Sequence, residues 1–500
     1  MANHTLLISA VTLPVIYSLG VIIYRLFFHP LAKLPGPKLL AVTALPKDIR
    51  HSFLGLWYKD VAALHVKYGP VFRMGPDEVA VDAELGFAHV CAFKRNGQGD
   101  FYRDTAFFKV ADGEKSHPSI FITDRAGHGR QRRVIAHAFS QSAMYEQEPI
   151  IKRYVDMLIS HIHNFAASGT AVDAVQWYNF TTFDIIGDLT FGEPFDCLQQ
   201  TEMHPWVALI FSAIRISEVM RFLFKYPLTR FIVMQLYGQK LANKRAHHLA
   251  LTKEKTERRL ALGPDGHGNK DFMWYILKNN DKTGLTHGEI LGNSNLFILA
   301  GSETTATALS GITYYLGKNP QSLQELVNEV RSRFSSEHEI TMRSTAELPY
   351  LHACIEEGLR VFPPVVIIPT RICQGEFVGE HFIPKNAKIV IHSYACNHSP
   401  QHWHRPDDYC PERFLPPSDA RYNAAFANDN RKSFYPFSNG PMNCIGKNLA
   451  YAELRLIMAR MVWNFDFVPQ PESKGWAENM KAYLLWVKTP LMTKFIAVKH

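Results

Sequence analysis

The 500-residue sequence has few cysteines, and no two of them form a CxxC pair. The seven are widely separated, at Cys91, Cys197, Cys354, Cys373, Cys396, Cys410 and Cys444. An odd number of thiols at such spacings argues against a disulfide framework and favours a reducing compartment.

The sequence also lacks internal repeats, low-complexity segments and dense runs of lysine and arginine. Its 54 basic and 46 acidic residues leave a formal net charge of +8, which is a modest excess for this length. Binding to nucleic acid therefore has little support, whereas the modest positive charge is compatible with a surface that faces a membrane or an acidic partner. Because 47% of the residues are apolar, the chain can bury a large core, and we expect a folded protein.

An uncharged run, Leu6–Tyr24, lies close to the N-terminus. As a helix it would be about 28 Å long, which matches the hydrocarbon core of a bilayer. Basic residues follow this run, at Arg25, Lys33 and Lys38, and none precedes it, so the rest of the chain should lie on the cytosolic side. We predict a transmembrane anchor at residues 6–24. A cleaved signal peptide is the alternative reading of an apolar N-terminus.

A proline-rich hinge follows the predicted anchor, and we assign residues 25–40 to it. Its LPGP stretch, Leu34–Pro37, cannot continue a helix and stiffens the chain into an extended turn. Residues 41–500 contain no obvious flexible linker, and we predict one large domain there. Helical periodicity dominates it, for example at Gln147–Phe165 and Leu291–Leu316, with short strand-like runs such as Lys388–His392. The predicted fold class is mainly α with a smaller β portion.

Cys444 lies in the stretch FSNGPMNCIG, Phe437–Gly446. The apolar residues that follow have helical spacing, so Cys444 should lie at or just before a helix N-terminus, where free N–H groups favour a thiolate. Gly440 and Gly446 would let the backbone pass close to a flat, bulky group. A thiolate in such a loop suits an axial ligand of haem iron, although a lone cysteine can also be a small buried hydrophobic residue.

Four stretches, in the same order and at similar spacing, resemble those of the cytochromes P-450. FSNGPMNCIG matches the signature Phe-x-x-Gly-x-Arg-x-Cys-x-Gly except at Met442, and the others are AGSETT (Ala300–Thr305), EGLR (Glu357–Arg360) and PERF (Pro411–Phe414). The resemblance spans essentially the whole chain and is strongest to filamentous-fungal enzymes of specialised metabolism. It implies a P-450-type fold and haem b. The loop residues that it implies bind the cofactor are Phe437, Gly440, Gly446 and Cys444, the last as axial iron ligand.

The AGSETT motif implies an oxygen-activating helix. Ala300 and Gly301 are small, so a helix that carries them can approach the distal face of a porphyrin. By resemblance, Thr304 and Glu303 form an alcohol–acid pair that delivers protons during oxygen activation. The alternative is that the threonine hydroxyls only bond back along the helix.

Cations for the haem propionates are also implied by the resemblance. In the stretch Asp124–Ser140, His128 takes the position of the family's tryptophan and Arg132 supplies a positive charge, while Arg371 matches the family's strand arginine. Met442 replaces an arginine that usually binds a propionate. Because a thioether cannot supply that charge, we expect haem to be held less firmly or at a shifted potential.

Glu357 and Arg360 lie three residues apart on one helix face and can pair. By resemblance, Arg413 of the PERF motif is their third partner. A buried network of this kind needs every charge satisfied, so we interpret it as structural.

The resemblance implies a monooxygenase that uses O2 and electrons from NADPH to hydroxylate or epoxidise a small molecule, with secondary-metabolite biosynthesis as its setting. The segments expected to contact the substrate are Phe101–Phe121, Trp206–Phe224, Val365–Pro369 and Ala482–Pro490. They are largely apolar and aromatic, so the substrate should be lipophilic.

The implied partner is a membrane-bound NADPH-cytochrome reductase, docking where Lys447, Arg455 and Arg460 lie. The implied location is the endoplasmic reticulum membrane, single-pass, with the catalytic domain in the cytosol. Two alternatives stay open: a non-oxidative isomerase or dehydratase with the same fold, and a non-catalytic membrane haem-binding protein. The presence of both Glu303 and Thr304 favours oxygen activation over either.

Overall fold

The computed structural model describes residues 2–94, 101–105, 117–266 and 268–500, with the backbone alone for residues 2–11 and 208–215. These residues form two compact units. Unit 1 comprises Met1–Asp104, Ile367–His402 and Asn430–Met442, and unit 2 comprises Thr105–Val366, Trp403–Asp429 and Asn443–His500.

Helices make up most of the described chain. They are α1 (Ala2–Ile23), α2 (Lys38–Val42), α3 (Leu45–Ile49), α4 (Trp57–Tyr68), α5 (Ala83–Leu85), α6 (Arg125–Ile135), α7 (Gln141–Ser168), α8 (Ala174–Phe191), α9 (Cys197–Gln200), α10 (Pro205–Lys225), α11 (Pro227–Ala261), α12 (Phe272–Asn279), α13 (His287–Lys318), α14 (Pro320–Arg333), α15 (Met342–Thr345), α16 (Pro349–Val361), α17 (Ser393–Asn397) and α18 (Lys447–Asn464).

The strands are short and fewer. They are β1 (Val71–Arg73), β2 (Glu78–Val81), β3 (Tyr102–Arg103), β4 (Val172–Asp173), β5 (Arg371–Ile372), β6 (Glu376–Val378), β7 (His381–Ile383), β8 (Lys388–Val390), β9 (Phe465–Pro469), β10 (Lys481–Ala482), β11 (Trp486–Val487) and β12 (Met492–Ala497). The prediction of a mainly α fold with a smaller β portion is therefore confirmed.

Unit 1 is built on a five-stranded sheet with the order β1-β2-β8-β5-β3. The β2–β8 pair is parallel, and the other neighbours are antiparallel. Val79, Val81 and Ile389 lie in its buried apolar core. The antiparallel register places Arg103 of β3 opposite Arg371 of β5.

The proline-rich segment of unit 1 is held against β1. The Arg73 N–H donates to the carbonyl of Pro35 at 2.7 Å. Gly36 has φ +148°, and a Cβ there would lie 2.3 Å from the Arg73 carbonyl oxygen, so only glycine allows this approach. The segment predicted as a hinge is thus fixed to the sheet.

The segment predicted as a membrane anchor is helical, since α1 covers Ala2–Ile23 and contains Pro14. Over the described part of the chain, no helix combines the length and the apolarity needed to cross a membrane. The anchor at residues 6–24 therefore stays a prediction.

Unit 2 is centred on α8 and α13. Every residue of α8 except Gln176 is buried, including polar residues such as Asn179, Asp184 and Asp188. The 32-residue α13 begins with a capping box, in which the Thr286 hydroxyl accepts the Glu289 N–H and the Glu289 carboxylate accepts the Thr286 N–H. Arg130 of α6 also binds the Glu289 carboxylate, at 2.8 Å, so α6 is tied to the start of α13.

The charged network predicted around Glu357 lies in unit 2 and is fully buried. Arg360 donates to Glu357 Oε2 at 2.7 Å and to Oε1 at 2.8 Å, and Arg413 donates to Oε1 at 3.0 Å. Arg413 also pairs with Asp429, which the sequence did not single out. Burial would raise the pKa of Glu357, but the charges of Arg360 and Arg413 lower it overall.

Replacing Arg413 with methionine should destabilise the protein by roughly 3–5 kcal/mol, because Asp429 then keeps a buried, unpaired charge. Urea unfolding followed by circular dichroism measures this loss. The matched control is Arg333→Met, since Arg333 pairs with Glu347 where both side chains are at least half exposed. That change should cost less than about 1 kcal/mol. Equal effects of the two substitutions would contradict the structural role of the network.

Candidate haem-thiolate site

Cys444 lies in unit 2, directly ahead of α18. Gly446 caps this helix and Lys447 is its first residue, so the predicted position before a helix N-terminus is confirmed. The Cys444 side chain is open to solvent, unlike the other six cysteines, which are buried. The loop therefore presents one reachable sulfur.

The pKa of the Cys444 thiol lies above its ordinary value. Partial enclosure raises its pKa, against the opposing effects of the Gly446 N–H group and the Arg132 charge. The N–H group at the helix start favours the thiolate, as predicted, but desolvation outweighs it, and ionisation of Cys444 stays a prediction. Coordination to a metal ion would deprotonate this thiol.

Arg132 of α6 reaches the cysteine loop. It donates to the Asn443 carbonyl oxygen at 2.8 Å and to Asn443 Oδ1 at 2.6 Å. His128 lies one turn earlier in α6 and is buried. Asn443 therefore fixes a guanidinium group next to Cys444, a contact that no sequence signal indicated.

The AGSETT segment lies in the middle of α13 and presents two different faces. Ala300 is exposed and Thr304 is half-exposed, whereas Ser302 and Glu303 are buried. Residues four apart share a helix face, so Ala300 and Thr304 form one accessible strip. The Thr304 hydroxyl donates to the Ala300 carbonyl oxygen at 2.7 Å, so the backbone-bonded arrangement considered from the sequence is present.

Gly301 faces α8. A Cβ at this position would lie 2.6 Å from Ile186 Cδ1, so the missing side chain serves the close packing of α8 on α13. The expectation that Ala300 and Gly301 leave room for a porphyrin stays a prediction, and of the two residues only Ala300 is exposed.

Glu303 is buried beside Lys488, a residue that the sequence did not single out. Lys488 Nζ lies 2.7 Å from Glu303 Oε1 and 2.8 Å from Thr307 Oγ1. Burial raises the pKa of Glu303, and Lys488 opposes that shift. The part of Glu303 in a proton relay stays a prediction.

Arg371, in unit 1, is a buried cation with weak partners. Its Nη1 atom donates to the sulfur of Met442 at 2.7 Å, although a thioether is a poor acceptor. Its Nε atom is buried with no hydrogen-bond partner in the described part of the chain. A carboxylate such as a haem propionate would satisfy this group, so the residues present fit an anionic ligand.

Arg103 adds a second guanidinium to this region of unit 1, opposite Arg371 across the sheet. Burial, with the charge of Arg371 added, lowers the pKa of Arg103 to about 9. Two like charges opposite each other are unfavourable, which again fits an anion. Arg103 was missed because only strand register brings it to Arg371.

The glycines of the signature stretch have different local roles. Gly440, in unit 1, has φ +75°, and a Cβ there would lie 1.9 Å from the Cys91 carbonyl oxygen, so the neighbouring backbone requires glycine. Gly446, in unit 2, has space for a side chain, since a Cβ would meet only ordinary contacts at 3.9 Å. Phe437 is half-buried. Their contacts with a cofactor stay predictions.

The segments expected to contact a substrate are described in part. Val365 and Leu485 form a β-bridge, which joins two of those segments in unit 2. Trp206, at the start of α10, is buried. Of Phe101–Phe121, residues 106–116 lie outside the described residues.

A mainly helical protein with one accessible cysteine ahead of a helix, a guanidinium fixed beside it and an accessible alanine–threonine strip defines a candidate haem-thiolate enzyme. The cytochrome P450 family model matches residues 35–495 of the chain. The chain therefore belongs to the cytochrome P450 family, whose monooxygenases use haem b as cofactor, and the predicted resemblance is confirmed.

Named relatives are similar along nearly the whole chain. The trichothecene C-15 hydroxylase of Fusarium sporotrichioides is 39% identical over 481 residues, covering 95% of each protein. The cytochrome P450 monooxygenase astJ of Aspergillus oryzae is 38% identical over 484 residues, covering 96% of this chain and 95% of astJ. The trichothecene C-4 hydroxylase of Trichoderma arundinaceum is 38% identical over 481 residues, covering 95% and 93%.

Replacing Met442 with arginine should slow haem loss by about tenfold or more, because a charge-assisted hydrogen bond contributes roughly 1.5–3 kcal/mol. The added positive charge should also raise the reduction potential, since it favours the less positive iron. Transfer of haem to an excess of acceptor protein and spectroelectrochemistry measure the two quantities. Met442→Leu, which adds no charge, should resemble the unmodified protein. An arginine variant unchanged in both would contradict the expectation.

Proposed function

We propose that the protein is a haem-thiolate monooxygenase that inserts one atom of O2 into a lipophilic small molecule of fungal secondary metabolism. The observation that carries the proposal is the single accessible thiol, Cys444, held in a loop whose neighbour Asn443 binds Arg132 through two hydrogen bonds. Cysteine sulfur is an axial ligand of haem iron in one class of haem enzymes, and the adjacent guanidinium suits the anionic groups that haem carries.

The side chains of this chain would serve the cofactor and the reaction as follows. Haem, when bound, supplies the activation of O2 that no side chain can provide. Cys444 would ligate the iron through its sulfur, and Arg132 and Arg371 would offset the charge of the propionates. His128 would pack within the same helix as Arg132. Ala300 keeps its part of α13 free of side-chain bulk.

Proton transfer is the task of Thr304 and Glu303 under this proposal. Thr304 is accessible and its hydroxyl can exchange a proton with a bound molecule, while Glu303 is the neighbouring acid. Splitting O2 with two electrons and two protons leaves one oxygen atom for the product and one for water. Under this proposal, both protons reach the oxygen through the Thr304 hydroxyl and the Glu303 carboxyl group.

The substrate class rests on two supports. The segments expected to contact it are largely apolar and aromatic, which favours a lipophilic molecule. The relatives named above include two hydroxylases of trichothecenes, so hydroxylation of a fungal secondary metabolite fits best and epoxidation is the related outcome.

The membrane and the electron donor complete the proposal. The uncharged run at residues 6–24 would anchor the protein in the endoplasmic reticulum, with the catalytic domain in the cytosol, and an NADPH-cytochrome reductase would supply electrons. Lys447 is exposed and Arg455 half-buried, so both can face an acidic partner. Arg460 cannot, because it is buried and ion-paired with Glu337 at 2.6 Å and Asp156 at 2.8 Å.

The reduced protein with carbon monoxide bound should show the strongly red-shifted absorption band of sulfur ligation, and Cys444→Ser should abolish that band. Cys197→Ala, which alters a buried cysteine in the same unit, should retain it. Haem bound by the unmodified protein without the band would overturn the proposal. With reductase and substrate present, isotopic oxygen from O2 should appear in the product, which an isomerase or a haem carrier would not give.

Lys447→Glu should slow reduction by the reductase about tenfold at low salt, because it reverses a charge at the docking surface. The difference should shrink as ionic strength rises and screens the contact. Stopped-flow reduction at several salt concentrations measures both effects. Lys474→Glu, an exposed lysine elsewhere in unit 2, is the control and should have little effect. A rate that does not depend on salt in the unmodified protein contradicts this docking surface.

A further inference from the structure

The cluster of Glu303, Thr307 and Lys488 in unit 2 is closed and almost fully buried. Glu303 and Thr307 lie four residues apart on α13, and Lys488 follows directly after β11. Lys488 Nζ donates to Glu303 Oε1 at 2.7 Å and to Thr307 Oγ1 at 2.8 Å. The Lys488 and Glu303 side chains are only 4% and 3% exposed.

The segment that carries Lys488 is held on both sides. Trp486, two residues earlier, stacks on Phe362 with ring centres 4.5 Å apart and donates to the Pro363 carbonyl oxygen at 2.7 Å. Leu491, three residues later, donates its N–H to Asp173 Oδ1 at 2.9 Å. The position of the ammonium group is therefore set by the surrounding fold.

Stability alone is a poor explanation for this pair. A buried ion pair is often no more stable than apolar residues of the same volume, unless every charged atom is satisfied. Both carboxylate oxygens of Glu357 have partners. By contrast, Glu303 Oε2 is buried and has no hydrogen-bond partner among the residues that the structure describes. One oxygen of Glu303 is thus left available to give or take a proton.

The electrostatics of the pair allow a proton to pass within it. Burial raises the pKa of Glu303 and lowers the pKa of Lys488, and each charge opposes the shift of the other. Asp173, at the end of β4, is the other charged group whose field reaches Lys488, and it raises that pKa. Burial therefore reduces the difference in proton affinity between the acid and the amine.

We propose that Lys488 positions Glu303 and returns a proton to it for each delivery toward Thr304. In this relay the Glu303 carboxylate takes a proton from the Lys488 ammonium, the resulting carboxyl group gives that proton up toward Thr304, and the neutral Lys488 amine takes a proton from solvent. Lys488 acts only through Glu303. The inference rests on the proposed monooxygenase function, because it assigns the source of that reaction's protons.

Two substitutions at Lys488 separate proton return from charge alone. Lys488→Met removes both the charge and the proton, whereas Lys488→Arg keeps the charge but cannot release a proton in this pH range. General acid–base groups contribute about 10²-fold or more to rate, so both variants should form at least about tenfold less product per NADPH and release hydrogen peroxide instead. Lys481→Met, on the exposed strand of the same hairpin, should behave as the unmodified enzyme.

A spectroscopic measurement tests the pair without turnover. In Lys488→Met, Glu303 loses its cation and should become protonated at neutral pH, which adds a protonated-carboxyl band to the infrared spectrum. The double variant with Glu303→Gln should lack that band. If the protonated-carboxyl band is absent from Lys488→Met, the assigned pairing of Glu303 with Lys488 is contradicted.

The possible outcomes distinguish this inference from the proposed function. If product per NADPH is normal in Lys488→Arg and reduced in Lys488→Met, proton return is overturned and Lys488 acts only through its charge. Normal coupling in both would overturn the inference entirely. If Glu303→Gln forms as much product per NADPH as the unmodified enzyme, Glu303 has no proton role and the inference about Lys488 is overturned as well. A missing red-shifted carbon monoxide band would instead show that the haem-thiolate proposal is wrong. If Lys488→Met does not fold, Lys488→Arg decides alone.

Discussion

The close packing of α8 on α13 is the constraint on which the candidate site of unit 2 depends. Ile186 occupies the space that a side chain at position 301 would need, so α13 can rotate little about its axis. This contact fixes Ala300 and Thr304 on the accessible side and Glu303 on the buried side. Because α8 is buried along nearly its whole length, moving α13 would disturb much of the core.

Glu357 and Glu303, two buried carboxylates of unit 2, differ in how completely their oxygens are bound. Glu357 is saturated by Arg360, Arg413 and the Cys410 N–H group, so its cost of burial is offset within the network. Glu303 has one unsatisfied oxygen and lies on the helix that carries Thr304. Full satisfaction is typical of a structural network, whereas an unsatisfied oxygen beside a candidate site is consistent with the proton role proposed for Glu303.

Unit 1 differs in bringing two guanidinium groups together, those of the buried Arg371 and the half-buried Arg103. Arg371 reaches the sulfur of Met442, and Arg103 lies across the sheet from it. This chain has methionine at position 442, where the signature usually has arginine, and a second guanidinium group, that of Arg103, lies opposite Arg371. The local excess of positive charge fits a carboxylate-bearing ligand, even though the signature is incomplete.

The family, the mainly helical fold and the position of Cys444 before α18 could all be predicted from the sequence, because they follow from local spacing and from short motifs. The i, i+3 spacing also placed Glu357 and Arg360 on one helix face. The partners of the candidate residues are known only from the folded chain: Lys488 for Glu303, Asn443 for Arg132 and Asp429 for Arg413. Most such partners are far apart in the chain, and no periodicity relates them. It likewise showed that Gly301 and Gly440 serve neighbouring protein atoms, since steric need depends on what packs against a residue.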